Sequence, residues 1–267
     1  MAIQTDLAKP CDGDVRLGAA AGLLVTRIFA FLLGLGAVVW GCSELPLFWR
    51  QGSLNRVASE ILQGHSFAPQ LLVEEAREAQ AAERRSHCNP AIVRDVVAVR
   101  LAVFEASVKS DDKTARAAAF GPLDQATRTA LACTPGDAFD WLTLFWLDLI
   151  KHGFTPENAA FLRLSYTFGP NEAWIAIRRS RLTIPLFARL PADLRDDAVD
   201  EFVKLVDTEG VFPEMAAIFA TAAPAVQGRL AAALESAKPI PRQIFARALS
   251  DRGVKIDIPG VAHRPWE

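Results

Sequence analysis

From Leu17 to Ser43 the chain reads LGAAAGLLVTRIFAFLLGLGAVVWGCS and carries a single charge, Arg27. About 20 apolar residues suffice to cross a bilayer as a helix, and the length of this run disfavours a buried core helix. An arginine at the bilayer centre is costly, but its long stem lets the guanidinium reach one face. We therefore expect a retained transmembrane anchor over 17–43. A cleaved signal competes with it, weakened by a long basic lead and by bulky Trp40 before Gly41. A lipoprotein box at Val39-Trp40-Gly41-Cys42 is the third reading, although Trp fits poorly there. Within the span, Gly18 and Gly22 have the GxxxG spacing that lets a second membrane helix approach closely. Chance is the competing reading, since Gly and Ala are common in spans.

Basic residues set the expected orientation. Lys9, Arg16 and Arg27 lie before or early in the run, and Arg50 and Arg56 follow it. The positive-inside rule leans toward a cytoplasmic tail over 1–16, with the bulk of the chain beyond 43 in the periplasm of a single-pass inner-membrane protein.

The cysteines bear on the same question. Cys88 precedes Asn89-Pro90, a cap followed by Pro at the first helical position. Asp111-Asp112 marks a turn, and a return helix runs to about Ala132, with a kink expected at Gly121-Pro122. Cys88 and Cys133 then sit at the same end of an antiparallel pair. A disulfide there would close the hairpin and fits an oxidising compartment; two unrelated buried thiols are the alternative.

Beyond the span no sustained strand alternation occurs, whereas helix punctuation by Pro and Gly is abundant. Leu54, Val57, Ala58, Ile61 and Leu62 have helical spacing and stop at Gly64. A thinly apolar helix over about 69–85 follows. Thr134-Pro135-Gly136-Asp137 reads as a capping box opening AFDWLTLFWLDLIKHG. Thr155-Pro156 and Pro170-Asn171-Glu172 open the next two helices, and further helices are expected at about 192–207, 213–222, 225–236 and 240–252. Pro135 and Pro170 are 35 residues apart, close to the tetratricopeptide period of about 34. Asp148 stands where that repeat wants Tyr, and Pro185 interrupts the next unit. A degenerate repeat and an irregular bundle both remain open. The expected class is all-α: an N-terminal transmembrane helix, a helical linker region over 44–85, a tetratricopeptide-like domain of αα-hairpins over 86–253, and a tail over 254–267.

Chemistry is sparse. Hydrophobic residues make up 51% and charged residues 22%, which excludes a disordered chain, and a net charge of −2 provides no field for nucleic acid. There is no phosphate loop, zinc signature or nucleophile elbow. The four His at 65, 87, 152 and 263 are scattered. We expect no metal, no cofactor and no catalytic residue. The one cluster with recognition chemistry is Arg163 and Tyr166 on one helix, then Trp174 and Arg178 four apart on the next. If these faces line one groove, guanidinium forks beside aromatic rings could hold an anionic glycan or an acidic peptide. The competing reading makes Trp174 core and the arginines a wet face.

The segments LACTPGDAFDWLTLFWLDLIKHGF and LRLSYTFGPNEAWIAIRRSRL resemble small envelope proteins of alphaproteobacteria found near exopolysaccharide and O-antigen assembly functions. The resemblance covers roughly 86–210 and implies an inner-membrane anchor, a periplasmic helical domain and a polysaccharide context. It implies no active-site residues. The expected function is an accessory or scaffold protein docking an inner-membrane partner in polysaccharide assembly. The alternatives are a glycan-acting envelope enzyme and a lipid-anchored glycan-binding module.

Overall fold

The computed structural model describes residues 12–65, 67–84, 88–208 and 210–261, and side-chain surroundings for all of these except 12–24, 44–51 and 69. These residues form eleven α-helices and two short 3-10 turns, with no strand among them. The chain divides into two compact units, Met1–Gly52 and Ser53–Glu267.

The first unit contains most of α1 (Asp12–Leu62). Its stretch Val25–Ser43 is long and apolar enough to cross a membrane, and none of it is buried. Phe29, Phe31, Leu33, Val39 and Trp40 all stand open. In water that surface would be a large penalty, at roughly 25 cal/mol for each Å² of apolar area. Gly18 and Gly22 fall on α1, but their surroundings lie outside the described residues, as do His87 and most of the 1–16 tail.

The second unit opens with the last turns of α1, followed by α2 (Pro69–Glu83), α3 (Pro90–Lys109) and α4 (Lys113–Cys133). Then come α5 (Ala138–His152), α6 (Pro156–Phe168), α7 (Ala173–Leu186), α8 (Ala192–Val206), α9 (Phe212–Ala220), α10 (Pro224–Ala233) and α11 (Pro239–Ser250). The helix starts follow from capping. Asn89, Asp112, Asp137 and Thr155 each accept hydrogen bonds from backbone N–H groups of the first turn they precede. Thr155 and Asn158 form a reciprocal box, and Asn158 also donates to the Gly153 carbonyl, which ties α6 back to the end of α5. The expected cap at Thr134 is displaced: α5 starts at Ala138 and Asp137 caps it. Thr134 instead accepts from the Asp137 N–H in a tight turn, and Trp141 Nε1 donates to the Pro135 carbonyl.

The linker region over 44–85 is divided between the units, and its second part is core. Leu54, Ala58, Ile61, Leu72, Ala79 and Ala82 are buried in the domain's core, and small residues at helical spacing let α2 pack closely on α3. Pro122 and Pro185 do not end their helices. Pro122 lies inside α4 and Pro185 in the last turn of α7, and each forgoes only the bond from its own missing N–H to the carbonyl four residues back.

The bridge is present: Cys88 and Cys133 are joined, with Cα atoms 5.2 Å apart, across the open end of the α3–α4 pair. Packing is sequential. α3 lies on α5, α5 on α7, α7 on α9 and α9 on α11, while α4, α6 and α8 back onto their hairpin partners. Two hydrophobic clusters result. One runs from Leu54 through Phe104, Phe139 and Phe145 to Leu194, and the other from Ala176 through Phe202, Phe219 and Phe245 to Ile258. They meet along α7, whose Ile175 belongs to the first and Ala176 and Ile184 to the second.

Candidate functional site

The odd-numbered helices share one face of the second unit, and the clefts lie along it. One, about 120 Å³, is walled by Leu101 of α3, Phe139, Leu142 and Trp146 of α5, and Leu182 of α7. A second, about 380 Å³, opens beside it between the end of α1, α2 and α3, reaching His65 and Lys109. A third, about 420 Å³, continues onto α9 at Glu214, Ala217 and Thr221, with Arg252 at its edge. Arg181 lines all three, and Arg178 and Glu105 line the first two. The clefts adjoin at Arg181, and together they are the groove spanning α3, α5, α7 and α9.

Arg178 is committed. Its Nη1 lies 3.1 Å from Glu105 Oε1, and its Nη2 donates to the Ile61 carbonyl at 2.9 Å. That carbonyl belongs to the last turn of α1, where it also accepts from the Gly64 N–H and where a cation is favoured. One side chain thus links α7, α3 and the end of α1. Arg181, one turn on, is exposed and has no hydrogen bond or ion pair among the described residues, and the same holds for the Lys109 ammonium. The sequence pattern Arg178-Arg179-Ser180-Arg181 contained this signal, since residues three apart share a helix face. Glu105, Leu142 and Trp146 carried no comparable signal, because only the stacking of α3 and α5 brings them to α7.

The four residues expected as one groove are not brought together. Arg163 on α6 points to α8, where its Nε lies 2.6 Å from Asp193 Oδ2 in an exposed pair. That bond raises the arginine and holds the Asp193 carboxyl below its usual range. Tyr166 is packed under Arg179, whose guanidinium carbon is 4.2 Å from the ring centre. Burial, and then the nearby Glu201 carboxylate, push its hydroxyl well above the ordinary value. Trp174 packs on Phe139 with ring centres 5.3 Å apart, against the first core cluster. Only Arg178 lines the groove.

Arg179 lies between the two clusters. It is fully buried, yet it is satisfied: its Nε lies 3.0 and 3.1 Å from the two carboxylate oxygens of Glu201, Nη1 donates to the Ser165 carbonyl and hydroxyl, and Nη2 donates to the Gly169 carbonyl. This charge-assisted network is a structural joint of α6, α7 and α8. Glycine is required at 169, since a Cβ at that position would lie 2.5 Å from the Cβ of Ala138.

One buried carboxyl stands apart from these networks. Asp140, in the first turn of α5, is fully buried and neither oxygen has a hydrogen-bond partner among the described residues. Burial, and then the Asp137 carboxylate, push its pKa up to about 8, against the opposing pull of Arg94. Arg94 is itself held by Asp137 at 2.9 Å.

Among the described residues no group of His, Cys, Asp or Glu is arranged to hold a metal ion. No protein-family model, curated protein or solved structure matches the chain.

Proposed function

We propose that this chain is a membrane-anchored periplasmic scaffold protein of a bacterial envelope, which docks an inner-membrane partner in polysaccharide assembly through the groove along α3, α5, α7 and α9. The observation that carries the reading is one chain having both an open apolar helix over Val25–Ser43 and a Cys88–Cys133 bridge in its folded unit. The helix calls for lipid, and the bridge calls for an oxidising compartment. The polysaccharide setting rests on the resemblance of the segments around Trp141 and Trp174.

The domain is read as a degenerate tetratricopeptide-like stack. In support, α5, α7 and α9 begin at Ala138, Ala173 and Phe212, 35 and 39 residues apart. Each also packs on the next. Helical stacks of this kind present an extended face built from successive helices, and such faces bind partners.

The test is photo-crosslinking in cells of the native source. A photoreactive side chain at position 181 should capture a polysaccharide-assembly membrane protein, identified by mass spectrometry, and one at position 255 should not. Capture of cytosolic proteins alone from position 181 would overturn the reading.

A further inference from the structure

The groove also carries information about what it accepts. We infer that its α3–α7 part binds a peptide segment of the partner in which an aliphatic residue, leucine by size, stands next to an acidic residue; the inference rests on the docking reading above.

The apolar half of the argument is shape. Leu101, Phe139, Leu142 and Trp146 are rigid walls: the first three are buried core residues, and the Trp146 ring is held edge-on to Phe104 at 5.3 Å. Cavities of about 150 Å³ lined by such residues take up a benzene ring. A cavity of about 120 Å³ is therefore sized for an aliphatic side chain. Filling it removes apolar surface from water, the main favourable term in such contacts.

The charged half is complementarity at the rim. Arg181 stands at the cavity mouth with its guanidinium unpaired, and Lys109 faces the adjoining cleft unpaired. Glu105 at the same rim is already held by Arg178, so its charge is offset. His65 and Arg178 add no negative charge. A carboxylate over Arg181 would gain a two-pronged, charge-assisted pair. Glu214 lies farther along, in the α9 cleft, which confines the acidic preference to the α3–α7 part.

The same geometry disfavours a glycan. Sugars are held by broad aromatic platforms flanked by polar partners, whereas this cavity is small and its lining mostly apolar. Trp174 is packed on Phe139, and Trp146 on Phe104. The other apolar walls are Leu101, Leu142, Leu182 and the buried Phe139.

The experiment uses the full-length protein in detergent micelles and an array of twelve-residue peptides. Each carries a central Ala, Leu or Phe flanked by Glu, Gln or Lys. Glu-flanked Leu peptides should be retained at least about tenfold better than Lys-flanked ones, the scale of an interface arginine. Arg181→Glu, which removes no structural contact, should reverse that order with an unchanged melting temperature. Competition with an oligogalacturonate of similar charge tests the other ligand class. Retention without charge preference, an order unaffected by Arg181→Glu, or tighter binding of the oligogalacturonate would each overturn the inference. If position 181 still crosslinks the membrane partner in cells, docking stands and only the peptide chemistry fails.

Discussion

Arg179 on α7 and Glu201 on α8 form a forked ion pair wholly inside the protein, with Nε 3.0 Å from one carboxylate oxygen and 3.1 Å from the other. Burial raises the Glu201 carboxyl, and the bond to Arg179 opposes that rise. Removing one partner would leave the other charged and uncompensated between two hydrophobic clusters. Arg179→Ala is therefore expected to cost about 3–5 kcal/mol in chemical denaturation. Pairing it with Glu201→Ala should cost clearly less than the two single changes added together.

Arg178 and Arg181 separate structure from recognition on one helix. Arg178→Ala breaks the partly buried Glu105 pair and one of the two bonds to the Ile61 carbonyl, so a loss of about 1–2 kcal/mol is expected. Arg181→Ala should change stability by less than about 0.5 kcal/mol, since the side chain is exposed and unpaired. Thermal melts of the two variants side by side check both.

Trp174 is partly buried and packs on Phe139, against the first core cluster. Trp174→Ala is expected to cost about 3 kcal/mol, the scale for losing a large aromatic from a core. A loss under about 1 kcal/mol would place the ring on a binding face instead.

Asp140 gives the domain a pH signature. In the unfolded chain its carboxyl titrates near 3.9, whereas in the folded state it titrates at about 8. The folded state therefore holds a proton that the unfolded state releases between those values. Stability is full below about pH 4 and falls as pH rises toward 8. The N-terminus of α5 favours negative charge and offsets part of this. Asp140→Asn should be more stable than the native protein at pH 8, by on the order of 2–3 kcal/mol, with the gap closing near pH 4. A constant difference across that range would show that Asp140 is charged in the folded state.

The Cys88–Cys133 bridge closes a loop with a sequence separation of 45. On the chain-entropy view it is worth about 3–4 kcal/mol. Cys88→Ser and Cys133→Ser should each lower stability by that scale, with the double variant no worse than either single one. Free thiols at both positions in freshly isolated protein would contradict the bridge.

Much of the fold was legible because its signals are local. Asn89, Asp112, Thr155 and the prolines after caps announced helix starts, and the placement of Cys88 and Cys133 at two helix ends announced the bridge. Capping failed at Thr134, where Asp137 offered a better acceptor for the N–H groups of Phe139 and Asp140. The groove was less legible. Arg178 and Arg181 could be placed on one face by spacing, but their surroundings come from α3 and α5, more than thirty residues earlier in the chain. The burial of Arg179 was hidden for the same reason: three arginines in four positions look alike until α8 supplies Glu201 to one of them.

The central claim is that the folded unit lies outside the cytoplasm behind a retained membrane helix. The most direct measurement is a pair of fusions after Glu267 in a bacterial host, one to alkaline phosphatase and one to a reporter active only in the cytoplasm. The account predicts an active phosphatase in the membrane fraction and a silent cytoplasmic reporter. A silent phosphatase with an active cytoplasmic reporter would contradict it.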